Sequence, residues 1–295
     1  MGQTASGKSW LAEQLSLQTG AALVNADAFQ VYRGMDIGTN KPEDKGRYHL
    51  IDLKEPTEDF GVGEWVTLAQ EILWNCYGAG QSVIVVGGTG LYIRALFEEY
   101  QGMAGPPAPE LRQKLMDEEK QQGLDGLVAR LQALDPVLAT KTDLKNGARV
   151  RRALERLEGQ TYSVSVSLPP YARTKVCLEQ QWNSQEAVFE TRIRDMVRRG
   201  WKEEVSRLLE HGVRVNAPGM RAIGYREVVR LIRGEISEGE WIASVLLETT
   251  QYAKRQRTWL RSEPNLHSFP IDGTSSPALR QVMSHVDRLL TFGDL

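Results

Sequence analysis

Eight residues near the amino end constrain this chain more than any other feature. Gly2-Gln3-Thr4-Ala5-Ser6-Gly7-Lys8-Ser9 satisfies the pattern G-x-x-x-x-G-K-[ST] at every position. A loop of this kind turns successive backbone N–H groups onto anionic oxygens. The helix that follows adds the positive end of its dipole, the lysine adds a point charge, and the last hydroxyl can ligate a divalent cation. A di- or triphosphate is therefore expected on Gly2, Thr4, Ala5, Ser6, Gly7, Lys8 and Ser9, with Ser9 as the ligand of a Mg²⁺ ion. The loop constrains the fold as well, because it belongs between a buried strand and a helix of a parallel sheet. Residues 10–18 have helical composition, but only Met1 stands on the other side, so the expectation is either a protein that starts further upstream, the favoured reading, or a fold in which the strand before the loop is missing. Such a loss removes several buried apolar side chains at ~1.5–3 kcal/mol each, against a usual stability of ~5–15 kcal/mol.

Residues 21–25, 48–53 and 82–86 are short apolar runs bounded by turn or helix signals, and residues 65–77 have helical spacing. Strands alternating with helices imply an α/β fold, a P-loop NTPase-like, mainly parallel sheet flanked by helices, whose ligands bind at the carboxyl ends of the strands. A Gly- and Pro-rich break at 102–109 precedes a charged, strand-free stretch at 110–158, read as a helical insertion domain. Residues 176–182 are expected to return to the sheet. Residues 187–209, 225–232 and 241–260 read as helices, and 266–271 as a last strand. The expected organisation is a catalytic core in two parts, 1–104 and 166–295, with the helical insertion at 105–165.

Composition narrows the class. At 41% hydrophobic and 25% charged, the 295 residues have an ordinary globular make-up. No apolar run approaches the roughly 18 residues of a membrane span, and no signal peptide is visible, so a cytoplasmic protein is expected. Two cysteines, Cys76 and Cys177, make no disulfide framework, and four histidines give no zinc pattern. The net charge of −2 hides an asymmetry: residues 145–261 carry 22 Lys and Arg against 14 Asp and Glu, and the rest carries 14 against 24. A basic carboxyl-terminal half suits a polyanionic partner, although solvated helix faces account for such stripes as well.

The phosphate loop alone does not separate a kinase, a hydrolase and a transferase that releases diphosphate. Asp27 follows the strand at 21–25, which puts a carboxylate at the same sheet end as the loop, where it can take a proton, ligate Mg²⁺ or cap a turn. The polar run Gln30-Val31-Tyr32-Arg33-Gly34-Met35-Asp36-Ile37-Gly38-Thr39-Asn40-Lys41-Pro42 looks like a ligand-facing loop. Gly87-Gly88-Thr89-Gly90-Leu91-Tyr92 follows the strand at 82–86, with the Thr89 hydroxyl at the carboxyl edge.

Taken together these blocks resemble the tRNA dimethylallyltransferases, also called tRNA isopentenyltransferases. Three further blocks carry the resemblance on to about residue 272: Arg149-Val150-Arg151-Arg152-Ala153-Leu154-Glu155, Met220-Arg221-Ala222-Ile223-Gly224-Tyr225-Arg226-Glu227, and Gln251-Tyr252-Ala253-Lys254-Arg255-Gln256-Arg257-Thr258-Trp259-Leu260-Arg261. The resemblance implies transfer of a dimethylallyl group from dimethylallyl diphosphate to the exocyclic N6 amine of the adenine 3′-adjacent to the anticodon of tRNA. Diphosphate is then the leaving group on the phosphate loop, Asp27 the general base, and Lys8, Thr89 and Mg²⁺ the stabilisers of the departing charge. Arg192 lies where the family carries an arginine thought to reach the diphosphate.

The resemblance also implies a tRNA anticodon stem-loop as partner; a monomer is expected. The tRNA contacts would be Asp27, Ala28, Phe29, Gln30 and Thr89 near the target base, Arg112, Arg149 and Arg152 on the insertion, and Arg221, Arg226, Lys254, Arg255, Arg257, Trp259 and Arg261 on the basic half. Gln3 departs from the family's usual proline, Ala28 from a common serine, and Thr250 from a frequent arginine. Two other enzymes remain open as alternatives: a P-loop kinase of a small molecule or nucleoside, and an adenylate isopentenyltransferase acting on free nucleotides. The third alternative is a truncated chain that merely binds RNA.

Overall fold

A computed structural model describes residues 1–97, 109–159, 166–180, 185–271, 280–284 and 286. Two compact units emerge, one of residues 1–99 and 167–295, the other of residues 100–166. Among the described residues of the larger unit, β1 (Ala22–Asn25) lies between β2 (Tyr48–His49) and β3 (Val83–Val86), all parallel. As the central strand, β1 is buried at every position, which is why its sequence does not alternate. A second sheet pairs β4 (Lys175–Gln180) with β5 (Leu266–Ile271), again in parallel.

Helix α1 (Lys8–Thr19) serves both sheets. Leu11 and Leu15 pack with Leu178 and Ile271 of the second sheet, and Ala12 with Leu23 and Val86 of the first. Between β3 and β4 runs a mainly apolar slot of about 440 Å³, lined by Leu11, Ala12 and Leu15 of α1, Val83 and Val85 of β3, and Val176 of β4. Met1 and Gly2 stand where the expected strand would lie. The Leu178 N–H donates to the Met1 carbonyl at 3.0 Å, the Met1 amine donates to the Val176 carbonyl at 2.5 Å, and Gly2 pairs with Leu178 in parallel sense.

Helix α2 (Val62–Gly78) buries Trp65, Val66, Ala69, Leu73 and Cys76 on one face. The Trp65 indole donates to the Asn25 carbonyl at 2.8 Å and stacks on Tyr92 of α3 (Gly90–Phe97) at 4.8 Å. Helices α7 (Gln185–Arg198), α8 (Trp201–Glu210), α9 (Tyr225–Ile232) and α10 (Glu238–Arg261) build the main core around Trp201, Trp241 and Tyr225. A reciprocal cap between Ser237 and Glu240 starts α10. Its far end is held by Glu263, whose fully buried carboxylate accepts from Arg94 at 2.8 Å and Lys175 at 2.9 Å.

The smaller unit is helical, with α4 (Pro109–Leu134) kinked at Gly123, α5 (Pro136–Lys141) and α6 (Gly147–Glu158) around Leu115, Leu127, Leu131, Val150 and Leu154.

The mainly parallel α/β reading holds, with two local corrections. The expected strand at 48–53 stops after His49, because Leu50 and Asp52 adopt positive φ values of 65° and 53° that extended pairing does not allow. The expected helix at 187–209 is two helices, because Gly200 takes φ 92° between them, a conformation that favours glycine. The break at 102–108 and Trp182 lie outside the described residues.

Candidate active site

Helix α1 starts without a side-chain cap and without an acidic residue in its first turn. Its leading N–H groups therefore face the loop unneutralised, which suits an anion. The loop bends through Ala5 and Gly7, at φ 60° and 79°, and closes on itself where the Ser6 N–H donates to the Gln3 carbonyl at 3.3 Å. The Lys8 ammonium donates to the same carbonyl at 3.3 Å. Burial lowers the Lys8 pKa to about 8, with repulsion from Arg192 adding to the shift and attraction to Asp27 opposing it. Arg192 donates to the Thr4 hydroxyl at 2.9 Å. Its own pKa is lowered by burial, while Asp27 favours the charged form. Two desolvated cations and one carboxylate thus share one electrostatic environment, and a multivalent anion would relieve the repulsion between the cations.

These groups line a cavity of about 810 Å³. Its wall takes Thr4 to Ser9 from the loop, Asp27 and Gln30 beyond β1, and Arg192 from α7. Asp27 is held by a local turn, its Oδ1 accepting the Phe29 N–H at 2.9 Å and the Gln30 N–H at 3.4 Å. Gln30 in turn donates to the carbonyls of Thr39 and Asn40 at 3.1 and 3.0 Å, bringing residues 39 and 40 to the same cavity. That stretch is anchored from below by the buried Glu204, whose carboxylate accepts the N–H groups of Asp36, Ile37 and Gly38 and the Tyr225 hydroxyl at 2.6–3.2 Å. Lys41, also buried, pairs with Asp36 and Asp52 and holds the other side of the stretch.

Thr89 follows Gly88, which lines both the large cavity and a smaller one. The Thr89 hydroxyl accepts the Ala28 N–H at 3.1 Å, and Thr89 lines that smaller space of about 250 Å³ with Arg255 and Trp259. Gly2 lies beneath the loop beside Leu178 and also lines only the smaller space. Phe29 packs towards the main core. Of the expected cations, Arg221, Arg226, Lys254, Arg255 and Arg261 are exposed and Arg257 is half-buried. Trp259 is half-buried with the Arg94 guanidinium 4.6 Å over its ring, so one face is already occupied. In the helical unit, Arg112 and Arg152 flank the buried Glu155 at 3.3 and 3.2 Å, and the exposed Arg149 meets Asp143 at 3.4 Å.

The cavity also holds residues that the sequence reading did not single out: Asn25 at the end of β1, Tyr48 of β2, and the α7 face of Val188, Thr191, Asp195 and Arg198. The helical spacing of that face around Arg192 was the available signal. No three His, Cys, Asp or Glu come together among the described residues. The donor set offered to a divalent cation is the Ser9 hydroxyl on the cavity wall, with Asp27 and Asp195 as its carboxylates. That fits an ion held largely by ligand phosphates and water, as Mg²⁺ prefers.

Comparison with known proteins gives the same answer from three directions. Residues 30–263, well over half of the chain, match the family described as IPP transferase. The chain is 36% identical to the tRNA dimethylallyltransferase of Thermomicrobium roseum, over 98% of this chain and 90% of that protein. It is 37% identical to that of Geobacter metallireducens, over 96% and 94%. The crystal structure of a full-length tRNA isopentenylpyrophosphate transferase from Bacillus halodurans superposes with a TM-score of 0.69 at 29% identity, covering 98% of this chain and 94% of that one. A phosphate loop, a basic carboxyl-terminal half and this match along nearly the whole length have one explanation: the chain belongs to the IPP transferase family.

Proposed function

We propose that the chain is a tRNA dimethylallyltransferase: it moves a dimethylallyl group from dimethylallyl diphosphate to N6 of the adenine 3′-adjacent to the anticodon and releases diphosphate. The observation that carries this reading is the meeting of Lys8, Arg192 and Asp27 on one 810 Å³ cavity, in a chain of this family. The amine nitrogen forms a bond to the first carbon of the dimethylallyl group as the carbon–oxygen bond to diphosphate breaks. The leaving electron pair stays on the diphosphate, and the proton released by nitrogen passes to Asp27. An exocyclic adenine amine is a weak nucleophile, which is why a carboxylate beside it matters. The departing charge is met by Lys8, Arg192, the loop N–H groups and the start of α1, and Thr89 supports the base-side loop through Ala28. A Mg²⁺ ion held by Ser9 would neutralise part of the diphosphate charge.

The adenine has to leave the stacked anticodon loop to reach such a cavity. RNA is met by single-stranded and phosphate contacts, for which we assign Ala28, Phe29 and Gln30 at the base and the arginine and lysine side chains of α10 along the backbone. Arg221 and Arg226 extend that basic surface. Arg112, Arg149 and Arg152 are assigned to the stem on the helical unit. We assign the enzyme to the cytoplasm and to a monomeric working form; the residues assigned to the transfer step line one cavity of a single chain.

The test is mass spectrometry of nucleosides from tRNA incubated with the protein, Mg²⁺ and dimethylallyl diphosphate. The expected product is adenosine heavier by one dimethylallyl group in place of one hydrogen. Steady ATP turnover with no prenyl incorporation would select a kinase instead.

A further inference from the structure

Gln256 is buried on α10, immediately after the exposed cations Lys254 and Arg255. Both ends of its amide are used, each by a different catalytic segment. Its Oε1 accepts the Thr4 N–H of the phosphate loop at 2.9 Å, and its Nε2 donates to the Gly88 carbonyl at 2.9 Å. Only one orientation of the amide satisfies both partners, because an N–H cannot accept and a carbonyl cannot donate. The fit is close, since a Cβ on Gly88 would stand 2.5 Å from the amide nitrogen. Each partner continues into the reacting groups. Thr4 receives Arg192 on its hydroxyl. Gly88 is followed by Thr89, which takes the N–H of Ala28, the neighbour of Asp27. The Tyr252 hydroxyl, one turn back on the same helix, reaches the same Gly88 carbonyl at 3.4 Å.

We infer that Gln256 is a positioning residue of the transfer reaction: its amide fixes the distance between the phosphate loop, which grips the leaving group, and the Gly88–Thr89 segment, which supports the base. This rests on the proposed reaction and adds a residue to it. Gln256 also lines the 810 Å³ cavity, but both ends of its amide are committed to the protein, so its assigned role is to position other groups. It acts because displacing two halves of a site by about 1 Å costs about 10²-fold in rate, whereas binding surfaces elsewhere on the chain are left as they are.

Two variants separate this role from a merely structural one. Gln256→Met keeps the length and removes both hydrogen bonds. The expected kcat falls at least tenfold, while tRNA affinity, which reads the outer face of α10, stays within threefold. Gln256→Glu keeps the acceptor for Thr4 but sets a carboxylate against the Gly88 carbonyl. When protonated, the same carboxyl donates to that carbonyl and restores both bonds, and burial raises the pH at which this happens. The ratio of variant to wild-type kcat is therefore expected to rise at least fivefold between pH 8.5 and pH 6. Affinity for inorganic diphosphate, read by calorimetry, should recover in parallel. Wild-type kcat in the methionine variant, or a glutamate variant whose ratios are flat with pH in both readouts, overturns the inference. If the glutamate variant shows this pH signature in diphosphate binding but the wild-type protein prenylates no tRNA, the clamp stands and the reaction assignment is what fails.

Discussion

At the scale of single residues the cavity works by placing one carboxylate opposite two desolvated cations. Asp27 is held by the backbone N–H groups of Phe29 and Gln30, so its side chain is oriented before any substrate arrives. Replacing it by Asn keeps the shape and the turn but removes the proton acceptor. The expected outcome for Asp27→Asn is a loss of kcat of at least ~10²-fold, the usual scale for a general base, with donor and tRNA affinities within a few-fold of wild type. Near-normal turnover would remove Asp27 from the reaction. Lys8 gives a second test through its pKa of about 8. Below pH 8 the free protein already carries the charge that diphosphate needs. Above pH 8 the group is neutral until the anion arrives, and binding must take up a proton. Affinity for inorganic diphosphate is expected to fall as pH rises from 7 to 9.5, with proton uptake visible by calorimetry in buffers of different ionisation enthalpy. Lys8→Met should bind weakly throughout and lack that proton uptake, which separates the lysine from the titration of diphosphate itself.

At the scale of elements, α10 combines two jobs on two faces: Gln256 and Ala253 are buried while Lys254 and Arg255 are exposed. The exposed face is assigned to RNA phosphates. Lys254→Ala is accordingly expected to weaken tRNA binding and to reduce the slope of log affinity against log salt by about one. A slope unchanged from wild type places Lys254 off the RNA surface. The sequence made some elements legible and hid others for physical reasons. Strand β1 and helices α9 and α10 are bounded by strong local signals, and the phosphate loop is a contiguous motif, so each could be read directly. The strand at 48–53 looked continuous because its residue types suit strands, and the positive φ values that end it leave no trace in composition. The cavity wall from α7 lies about 180 residues from the phosphate loop in the chain, so only the spacing around Arg192 hinted at it. Gln256 stands within the block from Gln251 to Arg261, but its role was hidden for a related reason. Its two partners lie 252 and 168 residues away, and nothing local distinguishes it from the polar residues around it.

At the scale of the whole molecule, the unusual feature is a parallel architecture divided, among the described residues, into a three-stranded and a two-stranded sheet, joined through α1 and the contacts of Met1 and Gly2. The slot between β3 and β4 has apolar walls and a sheet edge on each side, and Gly2 already pairs with Leu178 in the parallel sense. Those are the requirements of a seat for an extended apolar segment: hydrogen-bond partners on both sides and a surface that prefers not to meet water. An engineered extension of five β-branched apolar residues joined ahead of Met1 would run in the direction that Gly2 sets and lay its side chains against Leu11, Leu15 and Val176. Its burial is expected to raise the midpoint of thermal unfolding by at least ~5 °C, taking ~2–4 °C per kcal/mol for a chain of this size. Because the slot underlies the phosphate loop, affinity for inorganic diphosphate should rise with it. A Gly-Ser extension of equal length controls for mere lengthening and should change neither quantity. Should the apolar extension leave the midpoint where the Gly-Ser one does, the slot is not a strand seat, and the two sheets are stable partners as they stand.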